Sequence, residues 1–334
     1  MGRQYMFLVA IFLQAFGRCR LGGIVQTPCS FNPLCACVED QDLMRDVQCV
    51  GVPFSTFPAD IGDCENGQVT LVKSGLEVLQ NDSLAGTRLS TLRLMHNSLS
   101  RIFPCAFCGA EDHLVSLDLS HNRLRVPPLH QLRKLRHLQW LNLQGNEMED
   151  VRRGDWEHFS ERVALRSLFL GGNRISLLRD RALGNLSHLT VLELDKNLIR
   201  EILGQPFPSK LTRLNLANNL LEEVPRNALR HLASLSELFL GGNRLKTVPS
   251  SWFLPVRQLD KLDLSRNLMD RLPEKLFNGS VYVQDLHLEF NFLTHFPEGL
   301  FRSVSVRRLS LANNRLSAIP KHALGGLESV LLVL

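Results

Sequence analysis

The chain is predicted to be an α/β solenoid: a horseshoe of stacked coils with a parallel sheet on its concave face and a disulfide-stapled cap at its N-terminus. Three observations carry this. Leucines recur in a fixed frame; one asparagine recurs with them, at Asn97, Asn122, Asn146, Asn173, Asn197, Asn219, Asn243, Asn267, Asn291 and Asn314; and four cysteines crowd together just ahead of the first coil. The spacing of the asparagines stays between 22 and 27 residues, a period at which each unit is one supersecondary coil that cannot bury its own apolar face. A solenoid grows by adding such coils, so the usual reading of 334 residues as two globular domains does not apply.

Residues 211–232, LTRLNLANNLLEEVPRNALRHL, show the unit at its clearest. Leu211, Leu214, Leu216, Asn219 and Leu221 follow LxxLxLxxNxL, and Val224, Pro225, Leu229 and Leu232 complete the outer half. Leu214 and Leu216 alternate as a short strand does, pointing inward while Arg213, Asn215 and Ala217 point out. At Asn219 the chain turns, and a buried amide there can satisfy backbone groups of its own coil and of the adjacent one. The frame, together with the LPEKLF of Leu272 to Phe277, resembles the extracellular leucine-rich repeat family of the Slit, Toll, chaoptin and small-proteoglycan type. The resemblance covers roughly residues 65–334, and the plant-type LxGxIP is absent.

At the start, Arg3 precedes an apolar run from Met6 to Phe16 and then small residues. Residues 1–17 read as a secretory signal peptide, with cleavage at the latest near residue 23; the run is too short to span a membrane. Secretion permits disulfides throughout the mature chain. Residues 24–64 then form the cap, with Cys29, Cys35, Cys37 and Cys49 spaced C-x5-C-x-C-x11-C. Four cysteines allow three pairings, and spacing alone does not choose among them; the resemblance implies Cys29 with Cys37 and Cys35 with Cys49. A zinc site is disfavoured, since no histidine lies in the cluster. Residues 69–79 read as a degenerate first coil in which Ser74 replaces the asparagine.

Cys105 and Cys108 form a CAFC in an outer half, expected to be a structural disulfide because the βαβ context of a redox centre is missing. Cys64 has no evident partner unless Cys19 survives cleavage. Asn81, Asn185 and Asn278 head the N-x-S/T triplets, all in outer halves, and are the candidate glycan acceptors.

The outward strand positions form columns across the coils, mostly polar and of mixed sign. Trp140, Phe169, Phe239 and Phe290 depart from this, and Phe169 and Phe239 are each followed by Leu-Gly-Gly, which is expected to leave their rings uncovered. Exposed aromatics are typical interface anchors, so these four are the candidate partner-binding residues. His96 and His121 share one slot in adjacent coils, but a metal would need a third ligand. No nucleophile, paired carboxylates or phosphate loop is framed anywhere, and no basic run of the nucleic-acid-binding kind occurs. No catalytic, cofactor or metal role is therefore expected, and the net charge of +5 leaves an anionic glycan open as a partner.

Leu327, Val330 and Leu332 open an eleventh repeat that stops at Leu334 before its asparagine, so the chain reads as part of a longer protein whose missing C-terminus could carry a membrane attachment. The resemblance implies a secreted or cell-surface protein that binds a protein ligand or another surface molecule on its concave face, in cell adhesion or recognition, leaning to the chaoptin type. Its alternative is a structural matrix component similar to the small leucine-rich proteoglycans, which bind collagen.

Overall fold

A computed structural model describes residues 26–320, apart from 41–42, 59–60, 62–66, 153, 155, 157–158, 160–161, 251–255, 278–280, 299 and 302–303. The signal peptide, Cys19, Cys64, Asn278 and the incomplete last repeat lie outside the described residues.

The cap comprises β1 (Gln26–Pro28), β2 (Ala36–Asp40) and β3 (Leu43–Val50), paired antiparallel. β3 then pairs in parallel with β4 (Gln68–Val72), the strand of the degenerate first coil. The cap is thus a continuation of the concave sheet, a feature its cysteine spacing did not disclose. Cys29 is bonded to Cys37 and Cys35 to Cys49, all four buried. These bonds close short loops where too few apolar residues exist to form an independent core.

The coils continue as β5 (Val78–Leu79), β6 (Thr91–Arg93), β7 (Arg101–Ile102), β8 (Ser116–Asp118), β9 (Trp140–Asn142), β10 (Ser167–Phe169) and β11 (Leu177–Leu178). Beyond them come β12 (Val191–Glu193), β13 (Glu201–Ile202), β14 (Arg213–Asn215), β15 (Glu237–Phe239), β16 (Gln258–Asp263), β17 (Val281–His287) and β18 (Val304–Ser310). Fourteen strands make one sheet in the order β1-β2-β3-β4-β6-β8-β9-β10-β12-β14-β15-β16-β17-β18, parallel from β3 onward. Most coil strands have three residues, but β17 and β18 reach seven because Val281, Val283, Val304 and Val306 extend the inward alternation. Among the described residues α1 (Leu129–Leu132) and α2 (Arg226–Leu229) are single turns, and Gly154, Trp156 and Phe159 are also helical.

The asparagines form a continuous ladder. Asn122 Nδ2 donates to the Leu119 carbonyl of its own coil at 3.0 Å and to the Leu94 carbonyl of the preceding coil at 2.9 Å, while its Oδ1 accepts the Leu99 N–H at 3.0 Å. Asn219 repeats this with Leu216, Leu194 and the Ile199 N–H. One buried amide per coil satisfies three backbone groups that the turn leaves without partners. Ser74 is buried but makes no such bridge; its N–H donates to Asn97 Oδ1.

A second, shorter hydrogen-bonded rail runs behind the sheet, and proline decides where. Six places after the ladder asparagine, the Phe103 N–H donates to the Leu79 carbonyl at 2.9 Å and the Leu203 N–H to the Leu178 carbonyl at 2.8 Å. These bonds belong to the pairs β5–β7 and β11–β13, the latter joined by a bridge from Leu178 to Val151. In the coils of Asn122, Asn219, Asn243, Asn267, Asn291 and Asn314 the same place holds Pro128, Pro225, Pro249, Pro273, Pro297 and Pro320. A proline has no N–H to donate, and none of these coils carries a second strand among the described residues.

Leu214→Ala is expected to destabilise the fold by about 2–5 kcal/mol through lost burial and a residual cavity. Asn219→Ala should cost about 1–3 kcal/mol by orphaning the Ile199 N–H and two carbonyls. Exposed Lys210→Ala should stay within about 0.5 kcal/mol. Urea midpoints of the three variants check this order, and equal shifts would refute the assigned frame.

Candidate functional site

The concave sheet presents three outward columns, and strand register fixes which residues meet. Trp140 lies opposite Ser167, and Phe169 lies between Asn142 and Glu193. The two aromatics are therefore diagonal neighbours on adjacent strands, within reach of each other. Their rings sit 5.1 Å apart and tilted by 48°, and both are half-buried. Pairs at this distance and tilt are favourable ring contacts, and here the pair forms one apolar patch on a mostly polar sheet.

Phe239 has a different setting. Arg213 places its guanidinium carbon 4.4 Å from the ring centroid and Lys261 its ammonium 5.4 Å, so the ring is flanked by cations. Arg213 also bonds Glu193 Oε1 at 2.5 Å and Glu237 Oε2, and Asn215 Nδ2 donates to Glu193 Oε2 at 2.5 Å. Burial works against the Arg213 charge, but the bonds and charges of Glu193 and Glu237 outweigh it and hold the group more basic than usual. Phe290 is not on a strand: it occupies the turn residue before Asn291, at φ +58°, with the Arg266 guanidinium 4.1 Å from its ring centroid. Four aromatics thus divide into one joined pair and two separate, cation-covered rings.

The space beside the Leu-Gly-Gly glycines is filled, and the Phe239 ring is covered by Arg213 and Lys261. A Cβ built on Gly171 would meet Asp195 Oδ1 at 2.5 Å, and one on Gly241 would meet Asp263 Oδ1 at 2.8 Å. The missing side chains make room for carboxylates of the next coil, Asp195 and Asp263. Asp195 is held above its usual carboxylate range, first by burial and then by repulsion from Glu193 two residues away. At the far end Arg308 forms a two-pronged pair with Asp285, the Arg308 Nη2 to Asp285 Oδ2 contact being 2.7 Å.

His96 and His121 stack with centroids 4.3 Å apart and planes within 1°. Burial, the neighbouring ring and Lys73 push the His96 pKa down, opposed by Asp118. The grouping of Asp82 with Cys105 and Cys108 has both sulfurs committed to a disulfide, so it offers no metal site. Asn81 is exposed, its Oδ1 accepting the Cys105 N–H at 2.9 Å, and Asn185 is half-buried.

Comparison with known proteins agrees with this architecture. The family model described as leucine rich repeat matches residues 87–148, 204–245 and 235–284. The chain therefore carries leucine-rich repeats over these segments and has the leucine-rich repeat solenoid fold. It is 32% identical over 219 residues to podocan-like protein 1 of Mus musculus, covering 63% of this chain and 36% of that one. It is 32% identical over 114 residues to chaoptin of Drosophila melanogaster, covering 33% of this chain and 9% of chaoptin. The solved structure of a leucine-rich repeat protein of Leptospira interrogans superposes with a TM-score of 0.62 at 26% identity, covering 83% of this chain and 75% of that one. The similarity therefore extends to podocan-like proteins and osteomodulin and is not specific to chaoptin. The chain spans about a third of the length of the podocan-like relative. No described helix is long and apolar enough to cross a membrane.

Asp195→Asn should raise the urea midpoint at neutral pH. A carboxylate whose folded-state pKa is raised costs stability once pH exceeds its unfolded value, and the cost is complete above the folded value. The gain should accordingly shrink as pH falls toward the ordinary aspartate range. A gain independent of pH would remove burial and Glu193 repulsion as its source.

Proposed function

We propose that this chain is a structural component of the extracellular matrix that binds a fibrillar protein of the collagen kind through its concave face, in the manner of the small leucine-rich proteoglycans. The observation that carries the binding surface is the Trp140–Phe169 contact, 5.1 Å between rings on adjacent strands. Half-exposed aromatic pairs of this kind anchor interfaces because a partner can strip their remaining water at little cost in side-chain entropy. The matrix reading draws on the podocan-type alignment, which covers nearly twice as much of the chain as chaoptin does. Glycans on Asn81, Asn185 and Asn278 belong to the same proposal; they would lie in outer halves, away from the aromatic patch.

A second reading, cell adhesion or surface recognition, is favoured by the matches to chaoptin and to the human leucine-rich repeats and immunoglobulin-like domains protein 1. It shares the concave face and differs in the partner.

The two readings separate in one experiment. The secreted chain is tested for binding to immobilised fibrillar collagen, and cells displaying it are tested for aggregation. Collagen binding lost about thirtyfold or more in Trp140→Ala and Phe169→Ala, with Lys261→Ala near wild type, is expected. Aggregation without collagen binding would replace the matrix reading with adhesion. Wild-type binding by both aromatic variants would move the functional surface off the concave face.

A further inference from the structure

The coil of Asn122 interrupts the second rail on both sides. Pro128 stands where Phe103 stands one coil earlier, so the Ile102 carbonyl loses its expected donor and instead accepts Gln131 Nε2 at 2.8 Å. The rail resumes at Val151 and Leu178. At this break the outer surface opens into a groove floored by Val126 and Pro127, with Val126 72% exposed.

Its walls are strongly basic. Among the described residues Arg101, Arg123, Arg125, Arg133, Arg152, Arg174 and Arg179 line it, all exposed, against three carboxylates, Glu147, Glu149 and Asp150. Arg125 pairs with Glu147 at 3.5 Å and Arg152 with Asp150 at 3.1 Å. The other five arginines have no ion pair among the described residues. Among the described lining residues the surplus is four positive charges. A comparable opening beside Pro225 differs: Arg200, Arg226, Arg230 and Arg244 there face Glu201, Glu222 and Glu223, close to neutrality.

We propose that the groove at Pro127–Pro128 binds a sulfated glycosaminoglycan chain. The arginines come from four consecutive coils, so they extend over about 15 Å along the solenoid if coils are spaced as strands are. That suits a linear polyanion lying across the coils better than a single headgroup. Guanidinium groups present a planar fork that matches two oxygens of a sulfate, and they are weakly hydrated. The Val126–Pro127 floor offers an apolar surface to the faces of sugar rings. This site is on the opposite side from the aromatic pair and is independent of the concave-face reading.

The test uses the secreted chain on immobilised heparin, with chemically desulfated heparin as the comparison ligand. The triple variant Arg123→Ser, Arg174→Ser, Arg179→Ser should lose affinity about tenfold or more and elute at lower salt, since screened charge contacts supply the attraction. Arg226→Ser, Arg230→Ser, Arg244→Ser should bind within about twofold of wild type, as should Trp140→Ala. Secretion level and thermal melting show whether each variant is folded. Arginine labelling of the wild type by phenylglyoxal, with and without heparin, locates the site without substitution; protection of Arg123, Arg174 and Arg179 is expected. Equal loss in both triple variants, equal binding of desulfated heparin, or protection elsewhere would overturn the proposal. So would displacement of heparin by phosphatidylserine vesicles or by polyglutamate at matched charge, each of which would assign the groove to a lipid surface or an acidic protein.

Discussion

The asparagine amide is the constraint on which the rest of this molecule depends. Every coil must turn out of its strand into the outer half, and the turn leaves two carbonyls and one N–H inside a leucine core where water does not reach. An amide presents two donors and two acceptor lone pairs in one plane, which is enough to satisfy all three. Leu94, Leu99 and Leu119 obtain their partners in this way from Asn122. Because two of the three groups lie in the preceding coil, each unit is completed by its successor. That direction also explains Ser74: no solenoid coil precedes it, and its buried hydroxyl bonds locally to the Val72 carbonyl.

Much of this was legible in the residues because it depends on local alternation and on a period. Leucine spacing identifies the strands, asparagine spacing identifies the turns, and together they place Trp140 and Phe169 on adjacent strands. What stayed hidden depends on how side chains from different coils share space. Gly171 and Gly241 look like openings in the sequence, yet Asp195 and Asp263 fill them from the next coil. Phe239 looks like an uncovered anchor until Arg213 and Lys261 are seen on either side of it. The antiparallel strands of the cap were equally out of reach, since cysteine spacing reports loop closure and not strand pairing.

The basic groove shows a third situation, in which the signal was present but its meaning needed the structure. Pro128, Pro225 and their equivalents recur six places after the asparagine. Only when the Phe103 and Leu203 bonds are seen does that position become the donor site of a second rail, and the prolines its interruptions. The arginines around Pro128 are scattered through four coils in the chain and come together only by stacking.

The same prolines divide the solenoid mechanically. From Asn219 onward every described coil has proline at the sixth place, and the outer halves are held by packing of Val224, Val248, Leu272 and Phe296 and by single backbone bonds such as the Thr294 N–H to the Asp270 carbonyl, with no second strand pair among the described residues. The concave strands lengthen over the same stretch, concentrating the hydrogen bonding on one side. An array tied more closely along one edge can bend by opening or closing its looser edge, trading mainly van der Waals contact. Curvature is therefore a softer coordinate in residues 219–320 than at Asn173 and Asn197, where β11 and β13 brace the outer side.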